Sequence, residues 1–91
     1  MRVVFSELAD EDLRSAITYT AGEDLQAALR LACDIEQFCF VTLAKFPNIG
    51  TVFEGDVRVF YKRGYRIFYR VFENHIEIVR IIHRAQDQYE L

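Results

Sequence analysis

Residues 57–83 hold three strand-like runs separated by two polar breaks so short that the chain must turn straight back on itself. Val57-Arg58-Val59-Phe60-Tyr61, Tyr65-Arg66-Ile67-Phe68-Tyr69-Arg70-Val71 and His75-Ile76-Glu77-Ile78-Val79-Arg80-Ile81-Ile82 are dense in β-branched and aromatic residues, which suit a pleated, half-buried surface. Read as two-residue hairpin loops, Arg63-Gly64 and Glu73-Asn74 set a register. Phe60 opposes Ile67, Ile76 opposes Val71, and Glu77 opposes Arg70 as a cross-strand ion pair. Side chains alternate along a strand, so one face gathers Phe60, Tyr65, Ile67, Tyr69, Val71, Ile76, Ile78 and Ile82, interrupted by Arg58, Lys62 and Arg80. The other carries Tyr61, Arg66, Phe68, Arg70, Glu77, Val79, Ile81 and His83. The first face is expected to be core and the second to be functional.

Upstream, Arg2-Val3-Val4-Phe5 reads as a short strand, and Ser6 as the N-cap of a helix whose first turns carry Glu7, Asp10, Glu11 and Asp12. Leu8, Ala9, Leu13, Ala16, Ile17 and Thr20 recur at helical spacing until Gly22. Asp24 caps a second helix with the stripe Leu25, Ala28, Leu29, Ala32, Ile35, Cys39, Leu43 and Phe46, which Pro47 stops. Leu31, Phe38, Phe40 and Val41 widen that stripe beyond what a one-sided surface helix requires, and they are candidates for a groove that receives another chain. Asn48 to Thr51 is expected to be a turn and Val52 to Asp56 a loop. The expected architecture is α+β over a single domain, residues 1–91. It consists of an N-terminal strand, then an antiparallel helical hairpin packed on a mainly antiparallel sheet completed by three C-terminal strands.

With 52% hydrophobic residues, 91 residues can bury one modest core unaided. No apolar stretch approaches the roughly 20 residues of a membrane span, and the N-terminus lacks the pattern of a signal peptide. Six residues apart on one helix, Cys33 and Cys39 lie about 9 Å apart along its axis, beyond the roughly 7 Å limit of a disulfide. Both are expected to be free thiols in the cytoplasm. Residues 1–56 carry four basic and ten acidic side chains, a balance of −6, whereas residues 57–91 carry seven and four, a balance of +3. The sheet is thus the basic half, suited to an acidic partner. Phe68 between Arg66 and Arg70 resembles a stacking platform for single-stranded nucleic acid, but the overall negative charge argues against it, and no sequence-specific DNA binding by this chain is expected.

No phosphate-binding loop, nucleophile elbow or metal-ligand spacing is present, so no cofactor or metal is expected. Candidates for a target-facing surface are Tyr61, Arg66, Phe68, Arg70, His83 and Arg84. Within that set Arg66 and His83, joined by Tyr89 from the tail, could stabilise and protonate a phosphoryl transition state if RNA is attacked by its own 2′-hydroxyl.

Several segments in order resemble the ParE branch of the RelE/ParE toxins. They are Val4-Phe5-Ser6, Ala27-Ala28-Leu29-Arg30-Leu31, Leu43-Ala44-Lys45-Phe46-Pro47-Asn48-Ile49-Gly50, Tyr65 to Val71 and Ile76 to His83. The resemblance implies the RelE/ParE-like fold and the toxin half of a type II toxin–antitoxin pair, of the kind that serves plasmid stabilisation. It also implies a cognate antitoxin that lays an amphipathic helix in an apolar groove. ParE-like members are associated with inhibition of DNA gyrase without catalysis, whereas RelE-like members cut messenger RNA on the ribosome. RelE-like lysines on the strand before Tyr65 correspond here to Val57 and Val59, which favours ParE. His83 and Tyr89 keep the nuclease alternative open. Altered residues at Glu23-Asp24, Thr51 and Lys62-Arg63-Gly64, with the acidic charge, admit a third reading as a non-toxic partner-binding module.

Overall fold

The structure, a computed structural model, describes residues 1–91. Strand β1 (Arg2–Phe5) leads into helix α1 (Glu7–Glu23), followed by α2 (Leu25–Gln37), a π-helical segment (Phe38–Thr42) and one last turn, α3 (Leu43–Lys45). Four strands complete the chain: β2 (Thr51–Glu54), β3 (Val57–Lys62), β4 (Tyr65–Val71) and β5 (His75–His83). They form one sheet in the order β1-β5-β4-β3-β2, antiparallel except for the parallel pair of β1 with β5. The expected α+β layering is therefore the observed one.

The helix boundaries follow from side-chain chemistry. Ser6 accepts the Ala9 N–H at 3.0 Å. Asp24 ends α1 through its own N–H to the Thr20 carbonyl, and its carboxylate then caps α2 at Ala27. One aspartate replaces a loop, and α1 runs through Gly22 to Glu23 instead of ending at the glycine.

The hairpin register is the one the loops dictate, with Phe60 opposite Ile67, Val71 opposite Ile76 and Arg70 opposite Glu77. Three features depart from the alternation. Val79 is an extra residue on β5, since Phe68 faces Arg80 while Tyr69 faces Ile78. Past this bulge the faces exchange: Ile81 joins the helix-side core, Ile82 the opposite cluster, and His83 lies opposite Tyr65 on the helix side. Thr51–Glu54, expected to be the end of a turn and the start of a loop, is edge strand β2. Its four residues are exposed, so no alternation marks it in the sequence. The open face expected of the sheet is covered by the C-terminal segment, whose Tyr89 packs on a cluster of Val57, Val59, Phe68, Val79 and Ile82.

The main core lies between helices and sheet and holds Ala9, Leu13, Leu31, Ile35, Phe38, Cys39 and Leu43 against Ile67, Tyr69, Ile76, Ile78 and Ile81. Phe60 stacks on Phe38 with ring centres 4.5 Å apart. The Phe-Pro turn is bolted to this core through Gly50, whose N–H donates to Tyr69 Oη at 2.8 Å while Arg58 donates to its carbonyl. A β-carbon at Gly50 would stand 2.7 Å from that oxygen and 2.8 Å from the Val59 carbonyl, so only glycine fits.

Beyond Phe5, β5 has no strand beside it, and α1 serves that edge instead. The Ser6 N–H and hydroxyl donate to the carbonyls of Ile78 and Val79, and the Ile81 N–H donates to Asp12. Asp12 also holds Arg80 through both carboxylate oxygens, at 2.8 and 3.0 Å. Arg80, expected to interrupt the core face, is carried by the bulge to the face of Phe68 and Ile82 and is paired there.

Candidate functional site

The residues expected to form one functional face divide into three environments. Tyr61 is exposed at the end of β3, and Arg84 is exposed just past β5. Phe68, expected to be presented to a target, is fully buried, wedged between Phe53 at 5.0 Å and Tyr89 at 5.5 Å. Arg70 is held by Asp56 at 3.1 Å and by Glu77 at 3.5 Å, which leaves little of its charge unmatched.

Arg66 is the centre of what remains. Its guanidinium lies 4.9 Å from the centre of the Tyr89 ring, a cation–π distance, and donates to the carbonyls of His83 and Gln86. No carboxylate reaches it, and its Nε is buried without a partner. Arg80 makes a similar bond to the Glu90 carbonyl. Two arginines thus tether the last seven residues as a strap by its main chain, with Tyr89 as the only aromatic anchor.

His83 stands apart from that pair. The bulge at Val79 turns it to the helix side, where it meets Tyr65 edge-on with ring centres 5.1 Å apart. Its Nδ1 accepts the Ala85 N–H at 3.1 Å, which assigns the ring proton to Nε2. The trio Arg66, His83 and Tyr89 is therefore not assembled: Arg66 and Tyr89 meet on one face while the His83 ring is on the other. Val57 and Val59 are buried beneath the strap, so β3 contributes no cation there.

Of the four residues expected to line a groove, Leu31 and Phe38 are buried in the main core. Their width of stripe reflects a helix buried on two sides, toward α1 and toward the sheet. Phe40 and Val41, in contrast, are 48% and 50% exposed. They sit in the π-helical segment, and Phe40 stacks on Phe5 at 5.5 Å, forming an apolar patch beside the outer edge of β1.

The Asp12–Arg80 clamp was missed in the sequence, although a signal exists. Asp12 adjoins the stripe of Ala9, Leu13 and Ala16, and Arg80 interrupts an apolar strand. Two misplaced charges of opposite sign predict one another.

One strand, a helical pair and a mostly antiparallel sheet define the RelE/ParE toxin fold. Two solved toxin–antitoxin structures share it. The chromosomal ParDE system from P. aeruginosa superposes with a TM-score of 0.75 at 24% identity, covering 91% of this chain and 95% of that one. The RelBE2 complex from Mycobacterium tuberculosis gives 0.67 at 20% identity, covering 91% and 96%. No curated protein is similar enough in sequence to count as a relative. The family model for the ParE toxin of the type II toxin–antitoxin system parDE matches residues 3–88, and the chain belongs to that family.

Proposed function

We propose that this chain poisons DNA gyrase by binding it, without catalysis of its own, and that a cognate antitoxin neutralises it in the cytoplasm. The observation that carries this reading is the dispersal of the nuclease trio. A ribonuclease needs a proton-transfer group and a cationic group at one phosphate. Here Arg66 is tethered to the strap, His83 lies across the sheet, and Val57 and Val59 supply no charge on β3. Membership of the ParE family and likeness to solved toxin–antitoxin complexes support the antitoxin partner. Phe40 and Val41 offer that partner an exposed apolar seat.

The test is negative supercoiling by purified gyrase with the isolated chain titrated in. Inhibition relieved by the antitoxin is expected. A folded chain that leaves gyrase untouched yet cuts messenger RNA on ribosomes, with His83→Ala abolishing the cuts, would overturn the reading in favour of the nuclease.

A further inference from the structure

A cleft of about 690 Å³ opens between α1, α2, the start of β4, the end of β5 and the first strap residues, away from Tyr89 and the Phe40–Val41 patch. Its lining includes Tyr19, Tyr65, His83, Arg63, Ser15 and Thr20. Tyr19 presents an aromatic ring that is 74% exposed, an unusual outlay of apolar surface on an otherwise polar helix face. Tyr65 is half-buried, and burial followed by the neighbouring Tyr19 pushes its phenol upward, so it remains a protonated donor at neutral pH. His83 offers an Nε2 proton because its Nδ1 is engaged by Ala85. Arg63 is ion-paired with Asp34 at 3.4 Å, both side chains half-exposed.

Within the lining itself no carboxylate is free, and an anion on Arg63 would share or displace its Asp34 partner outside the lining. Asp12, the one acid in the lining, has both oxygens engaged by Arg80 and the Ile81 N–H. A cleft in an acidic protein therefore presents hydrogen-bond donors, a guanidinium and aromatic faces. Arg63 also holds the only left-handed backbone of any non-glycine residue, φ 57°. Asparagine or glycine would satisfy that turn with less strain than arginine. What arginine adds there is a cation at the cleft's rim.

We propose that this cleft binds a purine nucleoside monophosphate, with the base against Tyr19, the phosphate on Arg63 and His83, and the sugar hydroxyls toward Ser15 and Thr20. Ring, anion and hydroxyls are each matched, and the volume falls within the range of small-ligand sites, about 300–1,000 Å³. A free phosphate would use only Arg63 and His83, and an aromatic side chain only the ring.

Calorimetric titration of the isolated chain with GMP tests this, with guanosine, inorganic phosphate and N-acetyltyrosine as separate arms. Saturable GMP binding is expected, at least about tenfold tighter than either guanosine or phosphate. Tyr19→Ala and Arg63→Gly should each weaken it by about tenfold or more, with the His83 imidazole resonances moving on saturation in the parent chain. Arg63→Gly relaxes the left-handed turn, so its thermal midpoint should not fall and lost binding cannot be ascribed to unfolding. Absence of saturable GMP binding, equal binding of phosphate alone, or indifference to both substitutions would overturn the proposal. Tighter binding of N-acetyltyrosine would overturn it too, making the cleft a seat for a partner's side chain. Gyrase is absent from the assay, so its outcome and that of the supercoiling test are independent.

Discussion

The two faces of the sheet are covered in different ways. On one side lie two capped helices whose backbones satisfy their own hydrogen bonds, and between them and the strands 13 residues are buried. On the other, a strap without regular structure crosses a cluster of five buried residues. The helices bring apolar stripes that fill the space, while the strap brings one tyrosine and a row of carbonyl oxygens. The first cover builds the main core; the second is a thinner layer over basic and aromatic groups. Damage of equal size should accordingly cost far more on the helix side.

Ile78→Ala sets the upper end. The side chain is fully buried in the main core, and its loss should cost about 2–5 kcal/mol. Urea unfolding at unchanged m-value would measure it. Asp12→Ala should follow at about 3 kcal/mol, because both members of the pair are roughly 85% shielded and the substitution strands the Arg80 charge and the Ile81 N–H together. A cost near zero would mean that the clamp between α1 and β5 is ornamental, and that the helix cover depends on apolar burial alone.

Tyr89→Ala probes the other cover. Removal of a half-buried ring and its contact with Arg66 should cost about 1–2 kcal/mol while the fold persists. Increased binding of a hydrophobic dye would report exposure of Phe68. Should Tyr89→Ala cost as much as Ile78→Ala, the strap would have to be counted as core, and the contrast between the faces would fail.

Most of the sheet was legible because two-residue loops leave little freedom: the partners of Phe60, Val71 and Arg70 follow from Arg63-Gly64 and Glu73-Asn74 alone. The bulge at Val79 was not legible, since an extra residue in a uniformly apolar run leaves no mark in the pattern, and it carried Ile81, Ile82 and His83 to the wrong faces. β2 went unread because an edge strand with no buried residue lacks alternation. The candidate site was read least well. Whether a tail lies across Arg66 and Phe68 depends on the packing of Tyr89 and on arginine bonds to main-chain carbonyls, which any sequence offers, so nothing local to residues 84–91 encodes that packing.

The smallest effect separates the faces by pH. Cys39 is buried in the helix-side core, and burial, reinforced by the charge of Glu36, pushes its thiol up to about 12. An unfolded chain loses that proton near 9, so between about 9 and 12 the folded state binds more protons than the unfolded state, and stability falls as pH rises. Below the unfolded value both states hold the proton and the contribution is constant. The expected loss is about 1 kcal/mol between pH 9 and pH 10, and Cys39→Ala should flatten that interval. The exposed Cys33 supplies the internal control, since a thiol reagent should modify it in the native protein while Cys39 waits for unfolding. Native-state modification of both thiols at similar rates would show that the helix cover opens readily enough to expose its own core. The contrast between the faces could then not rest on a rigid helix cover.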